Sequence, residues 1–361
     1  MFRFTFSLFF TGLLTLGGCS DDSGDDTTTN TDRDTDSSQV PICDEDTSGT
    51  CLSRLRVDGN HIVDDSGHPV VLKGLCLGDP AHLVADNQWS KAYLDEAAVW
   101  GAKLVRVQVS PWSYHESGPE KSFALVDEAV QWSKENGMYV SLEWHSCGNI
   151  VDGIFQEPQE GYATTKAELK DFWALAAARY KDDPAVAFFD LFGEPSAMSW
   201  LGGEMSWTQW RDIADEVIDV IYEIHPQAIP LVPGMDFSFN LQEVAENPLR
   251  NKGIVFSVHP YAGHAPEPWE ENWDKNFGYL SPTYPLMFTE FGFDPDDTIY
   301  PSVYKADVDY GQRILKYAED REISWTAFVF TNREGWPCPL FSDNDFTPTV
   351  SGAFFKEQLS E

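Results

Sequence analysis

The chain of 361 residues carries 24 Lys and Arg against 59 Asp and Glu, a formal net charge of −35. No basic stripe remains to neutralise phosphates, so nucleic acid is excluded as a partner. With 42% hydrophobic residues and 13 Trp the chain can bury a large core. Its length suits one barrel domain of about 250 residues or more behind a lead segment.

The lead comes first. Arg3 supplies a positive n-region and Phe4 to Leu16 an apolar run too short to span a membrane comfortably. The run ends Leu16-Gly17-Gly18-Cys19, which resembles a bacterial lipoprotein signal, with Cys19 as the lipidated residue. Residues 20–50 hold ten Asp or Glu against one Arg, among many Ser, Thr and Gly. Such a stretch cannot bury apolar surface and reads as a solvated tether. The expected division is therefore a signal over 1–19, a tether over 20–52 and a barrel over 53–361. The protein is expected at the bacterial outer membrane or cell surface, touching the membrane only through its lipid, as a monomer. Of the five cysteines after Cys19, Cys43 and Cys51 are near enough to close a small loop. Cys76, Cys147 and Cys338 are odd in number. No cysteine or histidine pair has zinc-ligand spacing, so no metal is expected.

From residue 70 onward, β-rich runs alternate with amphipathic stretches. The candidate strands are Val70–Leu77, Lys103–Val109, Met138–Trp144, Val186–Phe192, Ile229–Pro233, Ile254–Val258, Leu286–Glu290 and Ile323–Phe330. Helical patterns include Lys121–Asn136, Lys166–Tyr180, Thr208–Ile224 and Val303–Asp320, each bounded by Gly, Pro or Asp. Eight strands alternating with helices predict an α/β fold, a closed (β/α)8 TIM barrel. A doubly wound open sheet is the alternative, but Gly74-Leu75-Cys76-Leu77-Gly78 lacks its phosphate-loop spacing. In a closed barrel the first and last strands are neighbours, which makes Cys76 and Cys338 the first candidates for a disulfide.

Chemistry in such barrels sits at the C-terminal strand ends, and period-two alternation tells which face a residue occupies. Arg106 and Gln108 stand opposite Val105, Val107 and Val109. Ser141, Glu143 and His145 stand opposite Val140, Leu142 and Trp144. Glu194 shares a face with Asp190, His259 with Ser257, and the seventh strand ends at Glu290. Singly, a strand-end Arg is usually a partner for a buried carboxylate, a lone His a satisfied structural group and a lone Glu a solvated one. Five such groups at one end of five strands make a constellation. Two carboxylates across a barrel mouth suit glycosidic cleavage, one protonated to donate to the leaving oxygen and one ionised to attack the anomeric carbon.

The same residues carry a resemblance. Phe192-Gly193-Glu194-Pro195 resembles the Asn-Glu-Pro motif of glycoside hydrolase family 5, and Leu286–Gly292 that family's nucleophile strand. Glu143-Trp144-His145 is similar to its Asp-Trp-His, His259-Pro260-Tyr261 to its strand-six His and Tyr, and Arg106 to its strand-two Arg. The resemblance runs from about residue 55 to 357. It implies Glu194 as acid/base and Glu290 as nucleophile. It also implies that Arg106 and Tyr261 contact Glu290, with Arg106 holding it ionised, that His145 and His259 bind sugar hydroxyls, and that no cofactor is needed. The implied substrate is a β-linked polysaccharide, first an endo-acting β-1,4-glucanase substrate, with β-1,4-mannan the nearest alternative. A surface glycan-binding lipoprotein without strong catalysis is the rival of another class.

Two positions depart from the family pattern. Gly193 stands where an Asn contacts the reacting sugar's 2-hydroxyl. Either another side chain replaces it, the substrate has an unusual 2-position, or the site is weak. On strand eight, alternation turns Ser324, Thr326, Phe328 and Phe330 inward, so Phe328 takes the place of the family's stacking Trp and Trp325 faces the helices. Trp112, Tyr114, Trp269, Trp273 and Trp336 are either sugar platforms at the mouth or packing beneath long loops.

Overall fold

The strand and helix patterning closes into a barrel of eight parallel strands in sequential order. They are β1 (Lys73–Gly78), β2 (Leu104–Val109), β3 (Tyr139–Trp144), β4 (Val186–Asp190), β5 (Ile229–Pro233), β6 (Val255–Val258), β7 (Leu286–Phe291) and β8 (Ser324–Ala327). The computed structural model describes residues 52–155, 160–197, 202–333 and 335–361. The signal, Cys19, the tether and the Cys43–Cys51 pair lie outside the described residues.

Helices cover the barrel because their apolar stripes match the outward strand faces. Val105, Val107, Val140 and Leu142 from the strands join Phe172, Trp173, Trp210, Ile218 and Ile314 from the helices in one buried layer. Helix starts follow local capping: the side chains of Thr165, Ser206 and Asp307 each accept a backbone N–H of the first turn. Asp307 explains why the last of these helices runs Val308–Glu319 rather than from Val303 as the sequence pattern suggested.

The barrel's two ends differ in polarity. At the N-terminal end an antiparallel pair, Arg56–Asp58 with His61–Val63, sits before the barrel, and Leu55 and Ile62 pack with Leu104, Phe188, Leu231, Val255 and Met287. One step further along the strands the inward residues turn polar: Arg106, Ser141, Asp190, Ser257, Thr289 and Thr326, all buried. An apolar plug below and a polar layer above leave the C-terminal end as the place for chemistry.

Two irregularities decide what reaches that end. The register of β7 against β8 shifts between Phe288 and Phe291. Strict alternation would put Glu290 beside Phe288 on the helix side; the bulge aims Thr289 and Glu290 both inward. Beyond β4 the chain leaves the barrel ladder, and Glu194–Pro195 pairs instead with Cys147–Gly148 in a short parallel bridge. Strand eight ends at Ala327, and alternation does not govern the residues beyond it. Trp325 faces the helices as expected, and Phe330 is corrected to the outside, packed on Tyr93, Trp100 and Phe341.

Candidate active site

Arg106 is the centre of the polar layer. It is fully buried and meets three carboxylates: Glu290 from Nη1 at 2.6 Å, Glu143 from Nη2 at 2.8 Å and Asp190 from Nε at 2.8 Å. A guanidinium presents its donors as a rigid fork, which is why one Arg can organise three acids. Burial opposes ionisation of Glu143, but Arg106 and His145 outweigh it and hold the carboxyl down at about 2. Burial also pulls on His145, yet the neighbouring Glu143 lifts it to about 9. Asp190 is pushed the other way, to about 7, by burial and by Glu143, with Arg106 opposing. Near neutral pH, then, Glu143 is ionised against Arg106 and His145, while Asp190 is held far closer to taking up a proton.

Glu290 is 6% exposed at its side chain and Glu194 23%, so the first lies deeper and the second opens toward the mouth. A carboxylate oxygen of each and a ring nitrogen of His259 lie within 4.8 Å of one another. On Glu290, Oε1 accepts from Arg106 and from Gln108 Nε2 at 3.0 Å, and Oε2 accepts from Tyr261 Oη at 3.2 Å. On Glu194, Oε1 is 2.9 Å from His259 Nδ1, and Oε2 accepts from the Cys147 thiol at 3.6 Å. Burial raises the Glu194 carboxyl above its ordinary value, with His264, His145 and Cys147 pulling down. The two acids thus stand in different environments: three donors surround Glu290, while Glu194 is biased toward holding a proton.

The structure brings together Glu194, Glu290, Arg106, His145, Gly193, His259 and Tyr261, with Phe328 beside Tyr261. His259 departs from its implied role as a hydroxyl ligand. It is fully buried, burial lowers it to about 4, and its two nitrogens are taken by Glu194 and by Thr289 Oγ1 at 3.1 Å. Its place is between the carboxylates. His145 is 24% exposed with Nδ1 turned to Glu143 at 2.9 Å, leaving its far edge toward the mouth.

Gln108 is the site residue that the sequence pattern places on the inward face without giving it a part. The signal is there: it lies on the Arg106 face, one step nearer the C-terminal end. Its buried amide stands 3.1 Å from His145 Nδ1 as well as on Glu290. Position 193 is closed to a side chain. A Cβ there would lie 2.7 Å from Glu143 Oε1, 2.9 Å from the Ser146 carbonyl and 3.4 Å from His145 Nδ1. The anticipated Cys76–Cys338 disulfide does not form. Both thiols are free and share a buried cluster with Tyr261 and Phe328, because β1 aims Cys76 inward, its sulfur 3.9 Å from Arg106 Nη1.

The aromatic candidates divide by burial. Tyr114 and Trp273 are core residues, and Trp269 is covered by the Arg313 guanidinium at 4.8 Å. Trp336 lies parallel to Phe328, at 7° with centroids 6.4 Å apart, and Trp112, 43% exposed, stacks on His82 at 5.4 Å. These rings follow β1, β2 and β8, and His82 joins them, stacked on Trp112 and edge-on to Trp336 at 5.9 Å. Among the described residues two trios, Glu143–His145–Glu290 and Glu194–His259–Glu290, converge closely enough to hold a cation. Arg106 already supplies a positive charge to Glu290, the one acid they share.

The family model described as cellulase (glycosyl hydrolase family 5) matches residues 63–334. Among curated proteins, endoglucanase A of Butyrivibrio fibrisolvens is 28% identical, over 58% of this chain and 46% of its own. Endoglucanase E-5 of Thermobifida fusca is 23% identical, over 79% of this chain and 58% of its own. The chain thus spans about half the length of these relatives. A β-glucanase from Saccharophagus degradans, solved in its native form, superposes with a TM-score of 0.81 at 34% identity, covering 89% of this chain and 97% of that one. The same enzyme has been solved with cellotetraose.

Proposed function

The chain belongs to the cellulase family, glycosyl hydrolase family 5, and from that premise we propose that it cleaves β-1,4-linked glucan internally, with retention at the anomeric carbon. One observation carries the reading: two carboxylates whose oxygens approach within 4.8 Å, one among three donors and one pushed toward its protonated form. Retaining glycosidases need carboxyl groups about 5–5.5 Å apart, too close for a water to fit between the second carboxylate and the anomeric carbon as inversion requires. Glu290 then attacks the anomeric carbon while the Glu194 proton passes to the departing oxygen. A covalent glycosyl-enzyme forms. Glu194, now a carboxylate, takes a proton from water, and the resulting hydroxide displaces Glu290.

The substrate assignment draws on the names of the relatives and on the part-exposed rings of Trp336 and Trp112, whose flat faces suit glucose rings. Incubation with carboxymethylcellulose, mixed-linkage β-glucan, xyloglucan and mannan, followed by product sizing, tests it. Mixed cello-oligosaccharides from an early drop in polymer length are expected. Cleavage confined to mannan, or release of a single small sugar without loss of chain length, contradicts the assignment.

Gly193→Asn puts the family's usual residue into this site, and it is expected to harm the enzyme. The new side chain must displace Glu143 or the Ser146 backbone, moving groups that hold His145 and Arg106. Misplacement of this order costs about 10²-fold in rate. Glu143→Asp in the same chain shortens the obstructing acid by one methylene and is expected to recover part of the loss. Measured kcat/KM on a soluble glucan decides. A Gly193→Asn enzyme as fast as the parent shows that the cavity relaxes freely.

A further inference from the structure

Glu194 has two oxygens and two neutral partners. His259 faces Oε1 at 2.9 Å, and the Cys147 thiol donates to Oε2 at 3.6 Å. Backbone pairing fixes this second contact. Cys147 stands opposite Glu194 in the parallel bridge, the Glu194 N–H donates to the Ser146 carbonyl at 2.9 Å, and the Gly193 N–H donates to Trp144 at 3.1 Å. The extension of β3 therefore carries both the backbone and a side-chain donor for the residue that follows β4.

We propose that Cys147 is a positioning residue that orients the Glu194 carboxyl and favours its ionised form, tuning the acid/base; this rests on the assignment of Glu194 to that role. A donor strengthens its hydrogen bond when the acceptor gains charge. Glu194 becomes charged as its proton leaves for the departing oxygen, so the thiol assists the form that the first step creates. Burial and the adjacent Glu194 push the Cys147 thiol well above its ordinary value, so it stays protonated and available as a donor. The other ionisable groups facing Glu194 are Glu143 and His145 from β3, His259, Tyr261 and His264 from β6 and its following turn, and Glu290 from β7. Among the described residues Tyr162 and Tyr304 join them from the loops. Of these, Tyr162 also feels Cys147 directly, and Cys147→Ser keeps a group at that place while Cys147→Ala removes it.

The test is the alkaline limb of the kcat/KM profile, which reports the acid in the free enzyme. Cys147→Ala removes the donor, so the Glu194 pKa rises and the limb is expected to move up by about half a pH unit. Cys147→Ser retains a donor of similar size and is expected to keep the parent limb. Should the alanine variant not fold, Cys147→Val provides the donor-free comparison at closer volume. The same shift can be read without turnover, by following the Glu194 carboxyl carbon through a pH titration by carbon-13 NMR. A limb and a titration unchanged in the donor-free variant overturn the proposal. A parent protein that hydrolyses no glucan defeats the functional assignment instead, while the NMR titration still reports whether the thiol acts on Glu194.

Discussion

Glu290→Gln is expected to abolish glucan hydrolysis, by about 10⁴-fold or more, in a protein that still folds and still binds cello-oligosaccharides. The amide has the shape of the acid but cannot form the glycosyl ester. The surroundings can accept the exchange. The amide oxygen can face Arg106 and Gln108, both donors to Oε1, while its NH₂ faces Tyr261 Oη, which can accept as readily as donate. Stability should change little and the chemical step should fail. Initial rates on soluble β-glucan, with calorimetric binding of cellotetraose, separate the two effects. A variant within tenfold of the parent rate removes Glu290 from the role of nucleophile.

Arg106→Met is expected to be the most destabilising single change at the site, costing about 3–5 kcal/mol, because it leaves Glu143, Asp190 and Glu290 buried without their cation. The loss should depend on pH, and its sign comes from linkage. In the parent, Glu143 is held down at about 2, so its contribution is present above the ordinary carboxylate value near 4.5 and is lost as pH falls toward 2. Without Arg106, ionising these acids in the interior becomes costly and their folded-state values rise. The variant should then lose stability as pH climbs above the ordinary carboxylate range. Urea unfolding at about pH 5 and about pH 8 should show the larger deficit at the higher pH. Equal deficits at both would mean that the guanidinium acts by packing alone.

These outcomes turn on residues that are unequally legible. Arg106, Glu143 and His259 are readable because their strands obey period two, and a polar residue alternating with Val or Phe has one face open to it. Gln108 is visible on the same face yet carries no motif, and only the closure of the barrel brings its amide to Glu290. Cys147 is an unplaced cysteine in the sequence. Nothing local links it to Glu194, 47 positions away, and the bridge between the two strand extensions is a long-range pairing. Phe330 escapes the alternation that predicts it inward, because β8 ends at Ala327.

By itself the sequence determined the eight alternating units and the row of polar residues at their C-terminal ends, and its resemblance to the family singled out Glu194 and Glu290. The first two derive from local periodicity and residue chemistry. The tertiary structure decided how those acids work. A bulge in β7 turns Glu290 inward against its own alternation, and Glu143 fills the space at Gly193. Arg106 collects three carboxylates from three other strands. Each of these depends on distances between segments far apart in the chain, which are set only when the barrel closes.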